Sequence, residues 1–323
     1  MRPEASTGIA SFRVLAITGA LALIACVLFM TLGARGSWAF ILTFRGTKLA
    51  AMLLVGFAIA VSTVLFQTIT NNRILTPSIM GFDALYVLIQ TCLVFALGAH
   101  TVAAFDPRLM FAAECAIMIL FSCLLYRWLF SGAVRSLHLL MLVGVIFGVL
   151  FRSLSGFLQR VIDPNEFIVL QDRLFASFNG VDTSLLAISG VLVAAASLVA
   201  LRIFHTFDVL TLGRETAIGL GIEHQRMTTI ILVIVAVLVS VSTALVGPVT
   251  FFGLLVASLA YQLAPTGKHR VVLPLAILLA VIALVGGQLI LERLLAFDTA
   301  LGIVIEFVGG LFFIVLLVRG ALR

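Results

Sequence analysis

The stretch "LTLGRETAIGLGIEHQR", residues 210–226, is a polar island between two apolar runs of about twenty residues each. It contains two arginines, two glutamates and one histidine, whereas the flanking runs are almost entirely aliphatic. A helix of about 20 residues crosses the bilayer hydrocarbon layer, which is about 30 Å thick. The pattern of apolar run, polar loop and apolar run therefore predicts two membrane spans joined by this island.

The same pattern extends over the rest of the chain. Of the 323 residues, 63% are hydrophobic and 11% are charged, whereas soluble domains are about 25% charged. Backbone groups inside a bilayer must be bonded within helices, so we predict an all-α membrane protein with one transmembrane domain, 1–323. The ten predicted spans are residues 13–33, 47–67, 80–100, 109–130, 137–159, 184–204, 228–246, 250–264, 271–291 and 300–319. A break is predicted at Gly247-Pro248.

Lysine and arginine placement predicts the orientation. With the N-terminus inside, twelve basic residues face the cytoplasm and eight face outward, so both termini and the loop at 206–226 are predicted to be cytoplasmic. The net charge of +6 lies in short loops and requires no nucleic-acid partner. Outward basic residues, including Arg45, Lys48 and Arg293, either meet an acidic partner or contact lipid headgroups, and composition leaves both alternatives open.

The island itself is predicted to form two short helical pieces. "GRETAI" forms one or two turns, Gly219 ends them in the left-handed conformation, and "GIEHQR" begins again. Apolar residues such as Leu212, Ile218 and Leu220 give this polar loop (residues 206–226) a face to bury, and its charged residues give it a polar rim. The alternative is a solvated connection between helices.

Several further motifs occur in a fixed order along the chain. These are "FRGTKLAAMLLVG" (44–56), "TNNRILTPSIMG" (70–81), "GPVTFFGLLVASLA" (247–260) and "LGIVIEFVGGLFFIVLL" (301–317). Together with the island, they resemble the permease subunits of type II ATP-driven importers for iron–siderophore complexes, haem and cobalamin. The stretch "NNRILTPSIMGFDALY" (71–86) is most similar to the corresponding stretch of catecholate-type siderophore permeases. Val256-Ala257-Ser258 departs from the Val-Pro-His of the family signature, which marks a subgroup.

The resemblance implies a type II ABC importer permease fold and a function. The chain would be half of a homo- or heterodimeric permease in the bacterial cytoplasmic membrane, surrounded by membrane lipid. It would translocate a ferric siderophore by alternating access and perform no bond chemistry. Cytoplasmic ATPase subunits would bind ATP and magnesium, and an extracytoplasmic binding protein would deliver the siderophore. No cofactor or metal is expected in this chain.

The resemblance also assigns residues. Arg45 and Lys48 match the basic positions that meet the binding protein, and Arg293 lies near a third. The polar loop matches the coupling helices that dock into the ATPase subunit. The residues expected to couple are Leu212, Gly213, Arg214, Glu215, Ile218, Gly219, Leu220, Gly221 and Arg226.

Charged residues inside spans are costly and therefore informative. The family lines its pathway with span five, which makes Arg152, together with Ser153 and Gly156, a candidate pathway residue. Alternatively, Arg152 extends to the membrane surface or pairs with Glu114 in span four. Small residues in span five, such as Gly148, serve close helix packing or widen the pathway. Asp83, at the start of span three, is expected to be an interfacial cap.

Three other functions remain as alternatives. A haem or cobalamin importer would have the same architecture. An ion-coupled secondary transporter predicts repeats with broken helices and acidic residues at mid-membrane. An intramembrane enzyme would need a constellation of histidine and carboxylate, and the spacing of the five histidines shows none.

Overall fold

The computed structural model describes residues 4–33, 37–131, 137–293 and 301–318. Within these ranges the chain is helical, with no β-strand, which confirms the predicted all-α class. The helices are α1 (Glu4–Thr31), α2 (Trp38–Thr70), α3 (Phe82–Leu97), α4 (Ala99–Ala104), α5 (Pro107–Ser131), α6 (Leu137–Gln159), α7 (Pro164–Leu174), α8 (Thr183–Arg202), α9 (Phe204–Leu210), α10 (Arg214–Gly219), α11 (His224–Val246), α12 (Phe252–Leu263), α13 (His269–Arg293) and α14 (Leu301–Val318). A 3₁₀ turn covers Pro77–Met80.

Each of the ten predicted spans corresponds to a helix. Seven helices in the described ranges are long and apolar enough to cross a membrane: α1, α2, α5, α6, α8, α11 and α13. The other three predicted spans correspond to the shorter apolar helices α3, α12 and α14. The four remaining helices are short and lie between spans, and one of them, α10, covers the part of the island where the sequence predicted a short helix.

Helices α2 and α11 form the centre of the bundle. α11 packs against α2, α5 and α8, and α2 also packs against α13, which in turn contacts α1. Along α2 the residues that face these neighbours are small or aliphatic, such as Ala51, Val55 and Ala58, and they are fully buried. Gly56 brings α2 especially close to α13, because a Cβ there would lie 3.3 Å from the Leu284 side chain.

Two breaks interrupt the helical bundle near its middle. The first is the turn at 71–81, which ends at Gly81 with φ of 91°. A Cβ at Gly81 would lie 3.1 Å from the backbone of Gly148 in α6, so Gly148 serves close packing. The second is the predicted break: α11 ends at Val246, Gly247 has φ of 94°, and α12 begins at Phe252.

Polar contacts join α2 to α13 at both ends of these antiparallel helices. Near one end, the Lys48 ammonium forms an ion pair with the Glu292 carboxylate, which also accepts a hydrogen bond from Gln288 at 3.0 Å. Near the other end, the Thr68 hydroxyl lies 2.7 Å from Nε2 of His269. The Lys48 and Glu292 side chains are only 5% and 13% exposed, so water cannot replace either partner.

This burial predicts the effect of removing one partner. Lys48→Met leaves the Glu292 carboxylate buried and uncompensated, and breaking a buried pair in this way costs about 3–5 kcal/mol. The double variant Lys48→Met/Glu292→Met removes both charges and is expected to recover most of the lost stability. The measurement is the thermal unfolding midpoint of the purified chain, with Lys268→Met, at an exposed lysine, as the control. A wild-type midpoint for Lys48→Met would contradict the prediction.

Candidate functional site

The polar loop folds as two short helices, α9 and α10, which precede the long α11. One of these helices, α10, falls where the sequence predicted a short helix, and the other does not. α9 lies upstream of the island, α10 covers the "RETAIG" piece, and "GIEHQR" is the connection into α11 rather than a separate helix.

The glycines that turn the chain also differ from the prediction, which was wrong for Gly219. Gly219 is the last residue of α10, whereas positive φ angles occur at Gly213 (94°) and Gly221 (84°). The Gly221 N–H bonds the carbonyl of Ile218 at 2.9 Å, and the Ile222 N–H bonds that of Ala217 at 3.0 Å. These two hydrogen bonds form a Schellman motif, in which the left-handed residue, here Gly221, lies two positions after the last helical residue.

The polar loop has a buried side and an exposed side. Phe207, Leu210 and Ala217 are at most 1% exposed and attach the loop to the core. The outer side carries three large apolar side chains and several charges. Leu212, Ile218 and Leu220 are 57%, 53% and 62% exposed, and Arg214, Glu215 and Arg226 are also exposed. Apolar side chains at the centre of a polar rim are typical of a protein-docking surface.

A histidine attaches this loop to two spans. Nδ1 of His269, the first residue of α13, lies 2.6 Å from the Asp208 carboxylate in α9, and the His269 backbone N–H donates to the same oxygen at 2.8 Å. Since a carboxylate only accepts, Nδ1 carries a proton. The other ring nitrogen contacts Thr68 of α2, and the Phe207 ring packs edge-on against the imidazole. We call Thr68, Asp208 and His269 the loop anchor.

The charge of Asp208 is stabilised by this arrangement. Partial burial alone would raise the pKa of Asp208, but the two hydrogen bonds from His269 and the positive charge of nearby Lys268 lower that pKa below the usual value. Sequence analysis missed the anchor, because 61 residues separate Asp208 from His269 and no periodic pattern relates them.

The three basic residues predicted to meet a binding protein lie together at the opposite end of α2 and α13. Arg45 donates to the carbonyls of Phe29 and Leu32 at 2.9 Å each, and Arg293 donates to the Leu32 carbonyl. Both guanidinium groups therefore cap the C-terminal end of α1, where carbonyls lack helical partners. We call Arg45, Lys48, Glu292 and Arg293 the rim cluster.

The members of the rim cluster differ in their access to a partner. Arg293 is exposed and Arg45 is half-buried, so parts of both guanidinium groups face outward. Lys48 is buried and bound to Glu292, so it supports the cluster from inside. The structure thus places all three predicted docking residues in one cluster, but only Arg45 and Arg293 are accessible from outside.

The candidate pathway residues lie on one exposed face of α6. Arg152 and Ser153 are exposed, and Gly156 has open space where a Cβ would be. The proposed partner of Arg152 is engaged elsewhere: buried Glu114 accepts a hydrogen bond from Gln90 of α3 at 2.7 Å. The sequence alternative of an Arg152–Glu114 pair is therefore wrong.

Glu114 borders a cavity of about 360 Å³ between α3, α5 and the segment after α7. Tyr86, Gln90 and Arg173 also contribute polar atoms to its wall. A second polar cavity of about 490 Å³ adjoins the loop anchor, where the Arg73 guanidinium lies 4.5 Å above the Tyr261 ring. Among the described residues, no group of three metal-ligating side chains occurs.

Comparisons with known proteins agree with this architecture. The model of the FecCD transport family matches residues 7–319. The petrobactin import system permease protein YclO of Bacillus subtilis is 47% identical over 284 residues, which cover 88% of this chain and 90% of that protein. The petrobactin permease FatC of Bacillus anthracis is 37% identical over 278 residues, covering 85% of this chain and 78% of the relative.

A solved structure has the same fold. A metal-chelate type ABC transporter in an inward-facing conformation superimposes with a TM-score of 0.81 over 96% of this chain and 99% of that chain, at 22% identity. The family match covers nearly all of the sequence, and the bundle has the fold predicted for such permeases. This chain belongs to the FecCD transport family.

Proposed function

We propose that this chain is the permease subunit of an ATP-driven importer for a ferric siderophore of the catecholate type. The observation that carries the proposal is the 47% identity to a petrobactin permease, which extends over 88% of this chain. Petrobactin permeases belong to the catecholate type that the sequence motifs also predicted. The chain itself binds no nucleotide in this proposal; ATP and magnesium belong to the partner ATPase subunits.

The polar loop is the proposed entry point of ATP-driven motion. Leu212, Ile218 and Leu220 would insert into a groove of the ATPase, and the surrounding charges would fix the register. Domain closure in a partner is a rigid-body movement that needs a mechanical contact. The loop anchor supports this role, because Asp208 and His269 connect the loop to the first turn of α13 and, through Thr68, to α2.

The rim cluster is the proposed docking site for an extracytoplasmic binding protein. Arg45 and Arg293 would meet acidic residues of that protein, while Lys48 holds Glu292 and keeps the local structure in place. This assignment puts the rim cluster outside the bacterial inner membrane and the polar loop in the cytoplasm. Both termini are then cytoplasmic, as the distribution of basic residues predicts.

The exposed faces of the bundle outside these two sites would contact lipid and a second permease subunit. Arg152 on α6 and Glu306 on α14 are exposed charges within apolar helices, where lipid contact would be costly. We propose that this surface faces the partner permease and the pathway between the two subunits, which gives Arg152, Ser153 and Gly156 contact with the passing chelate.

Uptake measurements test the proposed substrate class. Cells lacking this permease are expected to lose accumulation of labelled ferric petrobactin, and the restored gene should return it. Haem and cobalamin uptake, measured in the same cells, should be unchanged. Unchanged ferric siderophore uptake combined with loss of haem or cobalamin uptake would contradict the proposal and support the rival importer class.

Charge introduced on the polar loop tests coupling. Ile218→Glu and Leu220→Glu change exposed positions, so the chain should fold with its normal unfolding midpoint. Each variant is expected to weaken ATPase binding by about tenfold or more, because apolar anchors at interface centres contribute about 2 kcal/mol or more. Gln262→Glu adds the same charge to an exposed site on α12 outside the loop and should bind normally. Wild-type ATPase binding and uptake in the loop variants would refute the role.

Charge reversal at the rim cluster tests docking. Arg293→Glu, alone and with Arg45→Glu, is expected to weaken binding-protein affinity at low ionic strength and to have less effect at high salt, because exposed ion pairs are screened. Arg270→Glu, near the opposite end of α13, is the matched control. The assay is the dissociation constant of the binding protein on nanodisc-embedded importer over a salt series. Equal affinity of the variants and the wild type at low salt would exclude the assignment.

A further inference from the structure

A small polar cavity lies between the two breaks in the bundle. It occupies about 10 Å³, close to the minimum that holds one water-sized occupant. We call it the hydroxyl cavity, because most of its polar wall consists of serine and threonine side chains. The lining residues with a polar side chain are Ser62, Thr63, Thr76, Ser78, Asp83, Ser242, Thr243 and Thr250.

Asp83 supplies the charge of this cavity. The sequence predicted an interfacial cap, and that prediction was wrong: Asp83 is 6% exposed, and Gly81 is the capping residue of α3. The hydroxyls of Thr250 and Ser78 interact with its carboxylate, but its Oδ2 atom has no hydrogen-bond partner. A buried carboxylate oxygen without a partner is costly, so a ligand for it is expected.

The surrounding hydroxyls offer oxygen lone pairs to an occupant. Ser62 donates its proton to the Ile59 carbonyl at 3.1 Å, and Ser242 donates to the Val239 carbonyl at 3.0 Å. Each hydroxyl proton is therefore used within its own helix, and the oxygen remains an acceptor. Together with the free Oδ2 of Asp83, these groups make a wall rich in acceptors, which suits a cation.

Charge balance selects a monovalent ion. Asp83 is the one carboxylate in the cavity wall, and the nearest charges, Glu306 and Arg152, act on it with opposite signs. A divalent ion would leave an uncompensated positive charge in an apolar region, which is strongly unfavourable. The cavity has room for about one water-sized sphere, which is enough for a single dehydrated monovalent cation.

We propose that the hydroxyl cavity is a monovalent-cation site for sodium or potassium, with Asp83 as the charged ligand and neighbouring hydroxyl oxygens as neutral ligands. The ion would join α2 (Ser62), the 3₁₀ turn (Ser78), α11 (Ser242) and the break before α12 (Thr250). In secondary transporters, interrupted helices that meet near the middle of the membrane coordinate cations through backbone carbonyl oxygens. Here side-chain oxygens beside two breaks would do the same. The site would stabilise both breaks of the bundle.

Ion binding to the purified full-length chain in lipid nanodiscs tests this site. Sodium chloride and potassium chloride are each expected to raise the thermal unfolding midpoint saturably, relative to choline chloride at the same ionic strength, because choline is too large for the cavity. Binding of radioactive sodium should saturate at the same concentrations. Asp83→Asn is expected to lower sodium affinity by about tenfold or more, since loss of a charged partner costs more than about 1.4 kcal/mol.

Two further variants complete the test. Asp172→Asn makes the same change at an exposed aspartate and should bind sodium normally. If Asp83→Asn fails to fold, Ser62→Ala/Ser242→Ala tests the same wall without removing the charge, and weaker sodium binding is expected there. Equal midpoints of the wild type in sodium, potassium and choline, or undiminished sodium binding in the wall variants, would overturn the proposal. These readouts are independent of siderophore uptake, so they do not depend on the proposed function.

Discussion

The buried polar contacts between α2 and α13 are the constraint on which the two ends of the molecule depend. Lys48 pairs with Glu292 near one end, and Thr68 meets His269 near the other. The twenty residues from Lys48 to Thr68 correspond to about 30 Å of helix, the thickness of the hydrocarbon layer. Hydrocarbon offers no replacement for a lost polar partner, so the register of the two helices is fixed at both ends. The same pair of helices carries the rim cluster and the loop anchor, and it makes them parts of one rigid unit.

Close helix packing makes this arrangement possible. Lipid gives no hydrophobic drive for helices to associate, so small residues that let backbones approach are important. A Cβ added at Gly56 would lie 3.3–3.6 Å from atoms of Ala280 and Leu284 in α13. A Cβ added at Gly253, in α12, would overlap the Thr63 hydroxyl of α2. α2 is thus held closely by α13 on one side and by α12 on another. Polar contacts determine its register, and glycine contacts determine its distance from its neighbours.

The sequence was sufficient for features that depend on local composition and length. It predicted a helix at each of the ten assigned spans, seven of which are long enough in the described ranges to cross a membrane, because an apolar run is a local feature. It also predicted the break at Gly247, because glycine and proline act within their own segment. The sequence did not predict features that depend on contacts between residues far apart in the chain. The burial of Lys48 depends on Glu292, 244 residues away, and the position of the polar loop depends on His269, 61 residues from Asp208. The spacing predicts Gly219, not Gly221, as the left-handed glycine at the end of α10, because spacing does not show which hydrogen bonds close that helix.

Besides the rim cluster and the loop anchor, α2 also contributes residues to the hydroxyl cavity. Ser62 and Thr63 lie between Lys48 and Thr68, so one helix contacts the rim cluster, the cavity and the loop anchor in turn. If the proposed ATPase contact displaces α9, His269 would transmit the displacement to α2 and α13 and change their position relative to α11 and the breaks. The oxygen atoms around the cavity come from α2, α11 and both breaks, so their separation changes with that displacement. An ion held among them would therefore favour the conformation in which those four segments have the correct spacing, and it would link the cavity to the proposed movements of the polar loop.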